Sequence, residues 1–140
     1  HNVVKIKTIG DAYMAVAFPS EHHILNLASA ALAMMSSTFV WPHSNVRVQF
    51  RIGMHVGHVI AGILGTQRLQ YDVWGDTVNV ASRMESTGEP GRVHVSSSFA
   101  DVVRGERDFN LVPRGEVDIK GKGLMTTFWM EASREYRLDH

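Results

Sequence analysis

The sequence predicts an α+β fold, with helices packed on one face of a mostly antiparallel sheet. Several short segments alternate apolar and polar residues, which is typical of half-buried strands. Two longer segments, 21–39 and 75–86, follow a helical pattern instead. The pair Gly10–Asp11 is a strong two-residue turn signal, and it joins the first two strand segments into a hairpin.

The first half of the chain begins with this hairpin. Residues 3–9 alternate, with Lys5 and Lys7 on the face opposite the apolar side chains, and residues 12–18 form a second apolar strand. The helix predicted over 21–39 has a broad apolar face. After a loop, further strand-like segments cover 46–54, 59–64 and 70–74.

The second half alternates strands with turns. Residues 87–91 form a turn that contains glycine and proline, and a short helix over 96–103 begins with a capping serine. The strand-like segments here are 92–95, 109–112, 116–120 and 126–131. Gly121–Lys122–Gly123 is a turn signal, and the polar tail over 133–140 is expected to fray.

Composition excludes several classes of protein. The chain has 140 residues, a formal net charge of zero and no cysteine. Neutral charge argues against a nucleic-acid or anionic-membrane surface, and the lack of an aromatic strand motif argues against an RNA-binding sheet domain. Without cysteine there is no disulfide, thiolate zinc site or cysteine nucleophile. No apolar run is long enough to span a membrane.

The histidines carry no zinc signature. His55 and His58 lie three residues apart across a strand turn, without the glutamate of a zinc-binding helix motif. We therefore interpret the eight histidines as structural or surface residues.

One segment, 70–86, combines several polar groups at a strand-to-helix junction. Asp72 lies at the end of the strand, and a Gly-Asp-Thr sequence then turns the chain and can cap the helix. Asn79 and Arg83 are four residues apart, so they share one face of that helix. Such junctions often hold a nucleotide or phosphate. On spacing alone, the segment is also typical of an ordinary solvated helix face.

Three segments taken together resemble one family. They are Lys5–Met14, Tyr71–Ser86 and Lys120–Gly123, and in this order and at these distances they resemble the class III nucleotide cyclase catalytic domain of adenylyl and guanylyl cyclases. The resemblance implies a ferredoxin-like cyclase fold whose first strand and first helices are missing. It divides the chain into a catalytic domain over 1–132 and a tail over 133–140. Because the chain opens inside a strand-like pattern, we expect a fragment of a larger domain.

The resemblance implies a cyclising reaction. In this family a nucleoside triphosphate becomes a 3′,5′-cyclic monophosphate and pyrophosphate, as the ribose 3′-hydroxyl attacks the α-phosphorus. Two divalent ions, Mg²⁺ or Mn²⁺, are held by two aspartates. Asp11 matches the second of these aspartates, and the first belongs to a strand upstream of His1. Phe99–Ala100–Asp101 lacks the residues that should follow, so we interpret it as a coincidence.

The remaining site residues are also implied by the resemblance. Asn79 and Arg83 match the ribose-orienting asparagine and the transition-state arginine. Lys120 matches the lysine that contacts the terminal phosphates, with Lys122 as the neighbouring candidate. Arg51 matches a second phosphate-binding arginine; an exposed strand arginine is the alternative interpretation.

Base choice depends on two positions of the family. Here they are Lys7 and Asp72, with Val73 beside the latter in the substrate-binding segment. A lysine donor and a carboxylate acceptor complement the N1 and amino group of adenine, and guanylyl enzymes typically carry Glu and Cys at these places. The sequence therefore predicts an adenylyl cyclase that binds ATP. A guanylyl cyclase is an alternative, and so is a non-catalytic nucleotide-binding or dimerisation module.

The family shares its active site across a two-fold dimer. One subunit supplies the metal aspartates and the Arg51-type residue, and the other supplies the base, ribose and transition-state residues. Because this chain carries both sets apart from the upstream aspartate, we expect a homodimer with two equivalent sites. We expect no nucleic-acid partner, no membrane contact from this segment and a cytoplasmic catalytic domain.

Overall fold

A computed structural model describes residues 4–9, 12–18, 22–36, 39–40, 47–58, 60–64 and 70–134. For 4–9, 39–40, 47–48, 60–64 and 70–74 it describes the backbone only. The elements are β1 (Val4–Ile9), β2 (Ala12–Val16), α1 (His23–Ser36), β3 (Phe39–Val40), β4 (Arg47–Val48), β5 (Ile52–Met54), β6 (Ile60–Leu64), β7 (Gln70–Trp74), α2 (Asp76–Ser86), β8 (Val93–Ser96), α3 (Ser97–Val103), β9 (Phe109–Ile119) and β10 (Gly123–Ala132).

The main sheet has four strands in the order β5-β8-β10-β9. β10 pairs antiparallel with both β8 and β9, whereas β5 pairs parallel with β8. Three further antiparallel pairs join β1 to β2, β3 to β4 and β6 to β7. This mixed arrangement confirms the predicted α+β class with a mostly antiparallel sheet.

Helices cover both faces of the main sheet, so the prediction of helices on one face is wrong. Val93 and Val95 of β8 pack with α1 and α3 in the larger core cluster. His94 lies between them, and its Nδ1 is 2.8 Å from the carbonyl oxygen of Met84 in α2. Because successive side chains of a strand point to opposite faces, α2 covers the other side. All four residues of β8 are buried accordingly.

The approach of α2 to the sheet depends on one glycine. A Cβ atom built on Gly53 of β5 would lie 2.0 Å from the backbone nitrogen of Glu85. Any other residue there would push the helix away. The side chains of Val80 and Met84 in α2 are fully buried and pack with Ile119 of β9.

Several predicted boundaries shift in the structure. The hairpin over 3–18 is confirmed, with Ile9 opposite Ala12. The first helix ends at Ser36, and Phe39 already belongs to β3. The predicted strand 46–54 is divided between β4 and β5 because its two halves pair with different strands, β3 and β8.

Strand β9 is one element where the sequence predicts two. Its pairing with β10 continues through Pro113, which lies opposite Phe128 next to a register irregularity. A proline is compatible with this position because β9 is the outermost strand of the described sheet. Between β9 and β10, the predicted turn at 121–123 is confirmed by the hydrogen bond from Lys122 N to Ile119 O.

The two later helices begin differently. Ser96 caps α3 as predicted, because its side chain accepts a hydrogen bond from Phe99 N. The predicted side-chain cap of α2 is wrong. Its N-cap is Gly75, with φ 118, and no side-chain cap hydrogen bond forms. Asp76 reaches Lys122 instead. No helix among the described residues is long and apolar enough to cross a membrane.

Candidate active site

Helix α2 runs antiparallel to strand β9, and three polar contacts join the helix and its C-cap to the strand and the turn that follows it. These contacts are Asp76–Lys122, Arg83–Asp118 and Thr87–Arg114. The apolar cluster of Val80, Met84 and Ile119 lies between them. This arrangement fixes both the rotation and the register of α2, the helix that carries the predicted ribose and phosphate residues.

Arg83 is exposed, yet one of its nitrogens is anchored. Its Nε donates to the carbonyl oxygen of Asp118 over 3.2 Å. Its two terminal nitrogens make no hydrogen bond to any other described residue. A guanidinium held through Nε presents those nitrogens as a fork that matches two phosphate oxygens. Asn79 is exposed one turn earlier, so the predicted common face is confirmed, while the catalytic roles of both residues stay predictions.

The structure distinguishes the two lysines that the sequence leaves as neighbouring candidates. Lys122 Nζ lies 2.6 Å from Asp76 Oδ2, so this lysine ties the β9–β10 turn to the start of α2. Lys120 is exposed and forms no ion pair within the described part of the chain. It follows Asp118 by two residues, at the strand end that anchors Arg83. Lys120 is therefore the candidate without an ion pair among the described residues, and its phosphate-binding role stays a prediction.

The predicted base-reading residues lie on neighbouring strands. Lys7 belongs to β1, and Asp72 and Val73 belong to β7. The two strands lie beside each other, with Cα atoms within 8 Å. β7, which carries Asp72 and Val73, leads directly through Gly75 into α2, the helix of Asn79 and Arg83. The backbone thus brings the strands that carry these residues into one region.

Arg51 lies against α2 but on another side from Arg83. Its Nε is 2.9 Å from Glu85 Oε2, an ion pair without hydrogen-bond alignment. Glu85 and Arg83 are two residues apart, about 200° around the helix, so the two arginines point in different directions. The structure does not bring Arg51 together with Arg83 and Lys120.

The metal prediction rests on a residue outside the described part. Asp11 is not described, and no group of three His, Asp or Glu residues that could hold a metal occurs among the residues that are. The Mg²⁺ or Mn²⁺ site therefore stays a prediction.

Two histidines have structural surroundings, as the sequence interpretation expects. His55 Nδ1 lies 2.6 Å from Ser96 Oγ. Burial lowers the pKa of His55, the positive charge of Lys122 lowers it further, and the carboxylate of Asp76 opposes the change. The neutral ring therefore lies near the ion pair at the start of α2.

His94 is the polar residue that sequence reasoning did not single out. It is fully buried, and its ring contacts the end of α2 and the indole of Trp129, with ring centroids 5.0 Å apart. A histidine between two valines in a short buried strand was the available signal. Its partner Arg114 gave none, because nothing in local spacing shows that β9 passes beneath α2.

The chain matches a known protein family over most of its length. The family model for the adenylate and guanylate cyclase catalytic domain matches residues 1–132. The chain belongs to this family. Its ferredoxin-like cyclase fold is confirmed by solved cyclase domains of the same fold. The catalytic core of a rhodopsin-guanylyl cyclase with converted specificity, in complex with ATPαS, has a TM-score of 0.79 and 36% identity, covering 93% of this chain and 72% of that one.

Other relatives carry guanylyl cyclase names. The guanylate cyclase domain of RhGC from Catenaria anguillulae, in complex with GTP, has a TM-score of 0.77 and 35% identity, covering 94% of this chain and 74% of that one. The receptor-type guanylate cyclase gcy-13 of Caenorhabditis elegans is 45% identical over 139 residues, covering 94% of this chain. This cyclase domain spans 14% of that protein's length. Further relatives at 40–44% identity are also guanylate or guanylyl cyclases by name.

Proposed function

We propose that this cyclase domain converts ATP to 3′,5′-cyclic AMP and pyrophosphate. The observation that supports the proposal is the adjacency of β1 and β7, the strands that carry Lys7 and Asp72, in one member of the cyclase family. ATP and catalysis are both our inference, because family membership alone supports a nucleotide cyclase of either base preference.

The base preference follows from hydrogen-bond complementarity. Adenine has an acceptor at N1 and a donor at its amino group, so a lysine donor and an aspartate acceptor satisfy both. Guanine has donors at N1 and N2, which a carboxylate would satisfy, and an acceptor at O6. With Lys7 at the carboxylate's place, guanine would leave two donors facing a cation. A mismatch of this kind at a buried site can cost about 10⁴–10⁵ in specificity.

A relative supports the feasibility of adenine binding on this scaffold. The rhodopsin-guanylyl cyclase core of converted specificity is described as bound to ATPαS and is 36% identical to this chain. A domain whose neighbours are guanylyl cyclases can therefore accept an adenine nucleotide once its specificity is changed.

The second candidate is a guanylyl cyclase. It is favoured by the names of the curated relatives, at 40–45% identity over nearly the whole chain. Overall identity reports common ancestry across all positions, whereas the purine is discriminated by a few contacts. We therefore give the two base-reading positions more weight than the overall identity.

The proposed roles of the site residues follow from charge. Negative charge grows on the α-phosphate oxygens during attack, and the terminal nitrogens of Arg83 would stabilise it. Asn79 would orient the ribose from the preceding turn. Lys120 would hold the terminal phosphates. Arg51 would act on phosphate from a different direction, which agrees with a role in the other site of a dimer.

The metal and the dimer belong to the same proposal. Asp11 would provide one carboxylate for Mg²⁺ or Mn²⁺, and the bound ions would activate the 3′-hydroxyl and neutralise phosphate charge. Because Arg51 and Arg83 point to different sides of α2, a homodimer with shared sites lets one chain serve both sites.

The test exchanges the base-reading pair. In protein extended upstream of His1, Lys7→Glu with Asp72→Cys should shift the ratio of kcat/KM for ATP over GTP toward GTP by at least about a hundredfold. The matched control is Lys5→Glu, which makes the same charge change on the same strand and should leave the ratio unchanged. A double variant that still makes only cyclic AMP contradicts the base-reading argument. A wild-type preference for GTP selects the second candidate.

A further inference from the structure

The C-terminal end of α2 is held by a polar cluster, which we call the α2 anchor. It consists of Thr87, His94 and Arg114. Thr87 is the C-cap of α2, His94 lies in the middle of β8, and Arg114 lies in β9. The anchor thus joins one helix end to two strands of the main sheet.

His94 has a defined tautomer in this cluster. Its Nδ1 lies 2.8 Å from the carbonyl oxygen of Met84, which can only accept, so Nδ1 carries the proton. Its Nε2 then accepts from Arg114 Nη1 over 3.2 Å. Burial lowers the pKa of His94, and the positive charge of Arg114 acts in the same direction, against the hydrogen bond to Met84. Both ring nitrogens are therefore satisfied in the neutral form.

Arg114 and Thr87 connect this ring to the backbone of Arg83. Arg114 Nη1 also donates to the carbonyl oxygen of Thr87. The Thr87 hydroxyl donates to the carbonyl oxygen of Arg83 over 2.7 Å, and the Thr87 amide donates to the same oxygen over 3.0 Å. The last turn of α2 is thereby fixed at the residue whose side chain faces the proposed transition state.

We propose that Arg114 and His94 are positioning residues for the reaction, acting through the end of α2 on Arg83. The inference rests on the proposed function. It adds a second support to the one that Asp118 gives the Arg83 side chain. Backbone and side chain of Arg83 would then be set from the same strand, β9. A misplacement of about 1 Å at such a residue is enough to cost about a hundredfold in rate.

The purely structural alternative is that Arg114 only stacks on Trp129. Its guanidinium carbon lies 4.8 Å from the indole centroid. Arg92 stacks on the same indole at 4.2 Å but makes no hydrogen bond to Thr87 or His94. The pair Arg114→Met and Arg92→Met therefore separates stacking from anchoring.

The first experiment compares these variants in protein extended upstream of His1. Arg114→Met should lower kcat by about tenfold to a hundredfold with KM within about twofold, since ground-state binding does not require the exact Arg83 position. Arg92→Met should keep both constants. Equal losses in the two variants overturn the proposal. If Arg114→Met does not fold, Thr87→Val replaces it, and an unchanged kcat in Thr87→Val overturns the proposal as well.

A double-mutant cycle then asks whether the effect passes through Arg83. In an Arg83→Ala background, Arg114→Met should change kcat by less than about twofold, because the positioned group is gone. Full additivity of the two losses overturns the proposal. His94→Asn, which keeps a donor near Met84 O, should retain more activity than His94→Leu. Equal activity of these two folded variants also counts against it.

A readout that needs no catalysis separates this inference from the proposed function. Amide hydrogen exchange at Thr87 and Gly88, whose amides donate to Arg83 O and Glu85 O, should quicken by about tenfold or more in Arg114→Met and not in Arg92→Met. Unchanged exchange overturns the anchor even in an active cyclase. If Arg114→Met exchanges faster but the wild-type protein forms no cyclic nucleotide, the proposed function and the positioning role are overturned. The anchor itself then stands.

Discussion

The Arg83 side chain is anchored at Nε, while its two terminal nitrogens make no hydrogen bond among the described residues. Its Nε is bound by Asp118 O, and its backbone carbonyl is bound by Thr87. In the proposed role, an unanchored arginine would lose more side-chain entropy on binding substrate than Arg83, whose Nε is already held. Charge stabilisation in the transition state needs such preorganised donors.

Arg83→Lys tests this view of the residue. Lysine keeps the charge but loses Nε and the planar fork, so it cannot reach Asp118 O and two phosphate oxygens at once. We expect kcat to fall by about 10²–10³ with little change in KM, as for loss of one transition-state donor. Steady-state kinetics would measure it. A drop confined to KM would show that Arg83 only binds the ground state.

The two lysines of the 120–123 turn make a matched pair. Lys120→Ala should raise KM for the nucleotide, because Lys120, the proposed ligand of the terminal phosphates, forms no ion pair among the described residues. Lys122→Ala should change KM less and instead lower stability slightly, by about 0.2–1 kcal/mol, since its ion pair with Asp76 is partly exposed. Kinetics and thermal unfolding of both variants check this. A larger KM effect in Lys122→Ala would reverse the assignment.

Residue-level prediction from sequence was limited by tertiary partners. The i, i+4 face of Asn79 and Arg83 depends only on helix geometry, so it was predictable. The choice between Lys120 and Lys122 was not, because both lysines border the same glycine turn and the deciding partner, Asp76, lies in another element. His94 was missed for the same reason.

At the level of elements, the position of α2 is set by the strands that it packs against, β5 and β9. Gly53 lets the helix backbone approach β5, and the contacts with β9 set its register. The Gly-Asp-Thr signal predicted a helix start here. It did not show that the N-cap is Gly75, which has no side chain to accept a hydrogen bond, while Asp76 pairs with Lys122.

Gly53→Ala should be among the more damaging substitutions. The new Cβ would lie 2.0 Å from Glu85 N, a backbone atom of α2 that cannot move alone. We expect a fall of about 1–3 kcal/mol in the free energy of unfolding, typical of overpacking. The milder control is Gly88→Ala, whose Cβ would meet backbone oxygens at 3.2 Å and 3.3 Å. Urea unfolding of both measures it, and equal stability of Gly53→Ala and wild type would contradict the close approach.

Strand boundaries failed where pairing partners decided them. The alternation over 46–54 is continuous, but β4 and β5 pair with different strands. Conversely, the sequence predicts separate strands at 109–112 and 116–120, yet β9 continues through Pro113 and Gly115, with an irregularity in its ladder with β10. Long-range pairing is not encoded in local alternation, which explains both errors.

At the scale of the whole molecule, the buried His94 and the half-buried His55 make stability depend on pH. Burial lowers the pKa of both His55 and His94 from the ordinary 6.5. In the unfolded chain these rings bind protons near pH 6.5, whereas in the native state they bind them only at lower pH. The contribution of these two neutral rings to stability is therefore complete above about pH 6.5 and is lost as the pH falls below it.

The same linkage gives a measurable prediction. Urea unfolding of wild type should show a lower free energy of unfolding at pH 5.5 than at pH 7.5, since the unfolded state binds more protons in that range. His94→Gln cannot titrate, so its pH dependence should be smaller. Arg114 lowers the pKa of His94 and Glu89 raises it, and both remain in this variant. An unchanged pH dependence would contradict the neutral buried ring.

The fold class and the family were predictable for the whole domain because several motifs agree in order and spacing over residues 1–132. The arrangement of helices on both sheet faces was not, since a strand buried on both sides gives no alternating pattern. The predicted purine preference depends on only two positions of the sequence, in a domain whose curated relatives are guanylyl cyclases.

The most direct measurement is the rate of cyclic nucleotide formation from ATP and from GTP, in the presence of Mg²⁺ or Mn²⁺, by protein extended upstream of His1. We predict cyclic AMP as the main product, with kcat/KM for ATP at least about tenfold above that for GTP, as a hydrogen-bonding match at Lys7 and Asp72 requires. Preferential formation of cyclic GMP would contradict the claim.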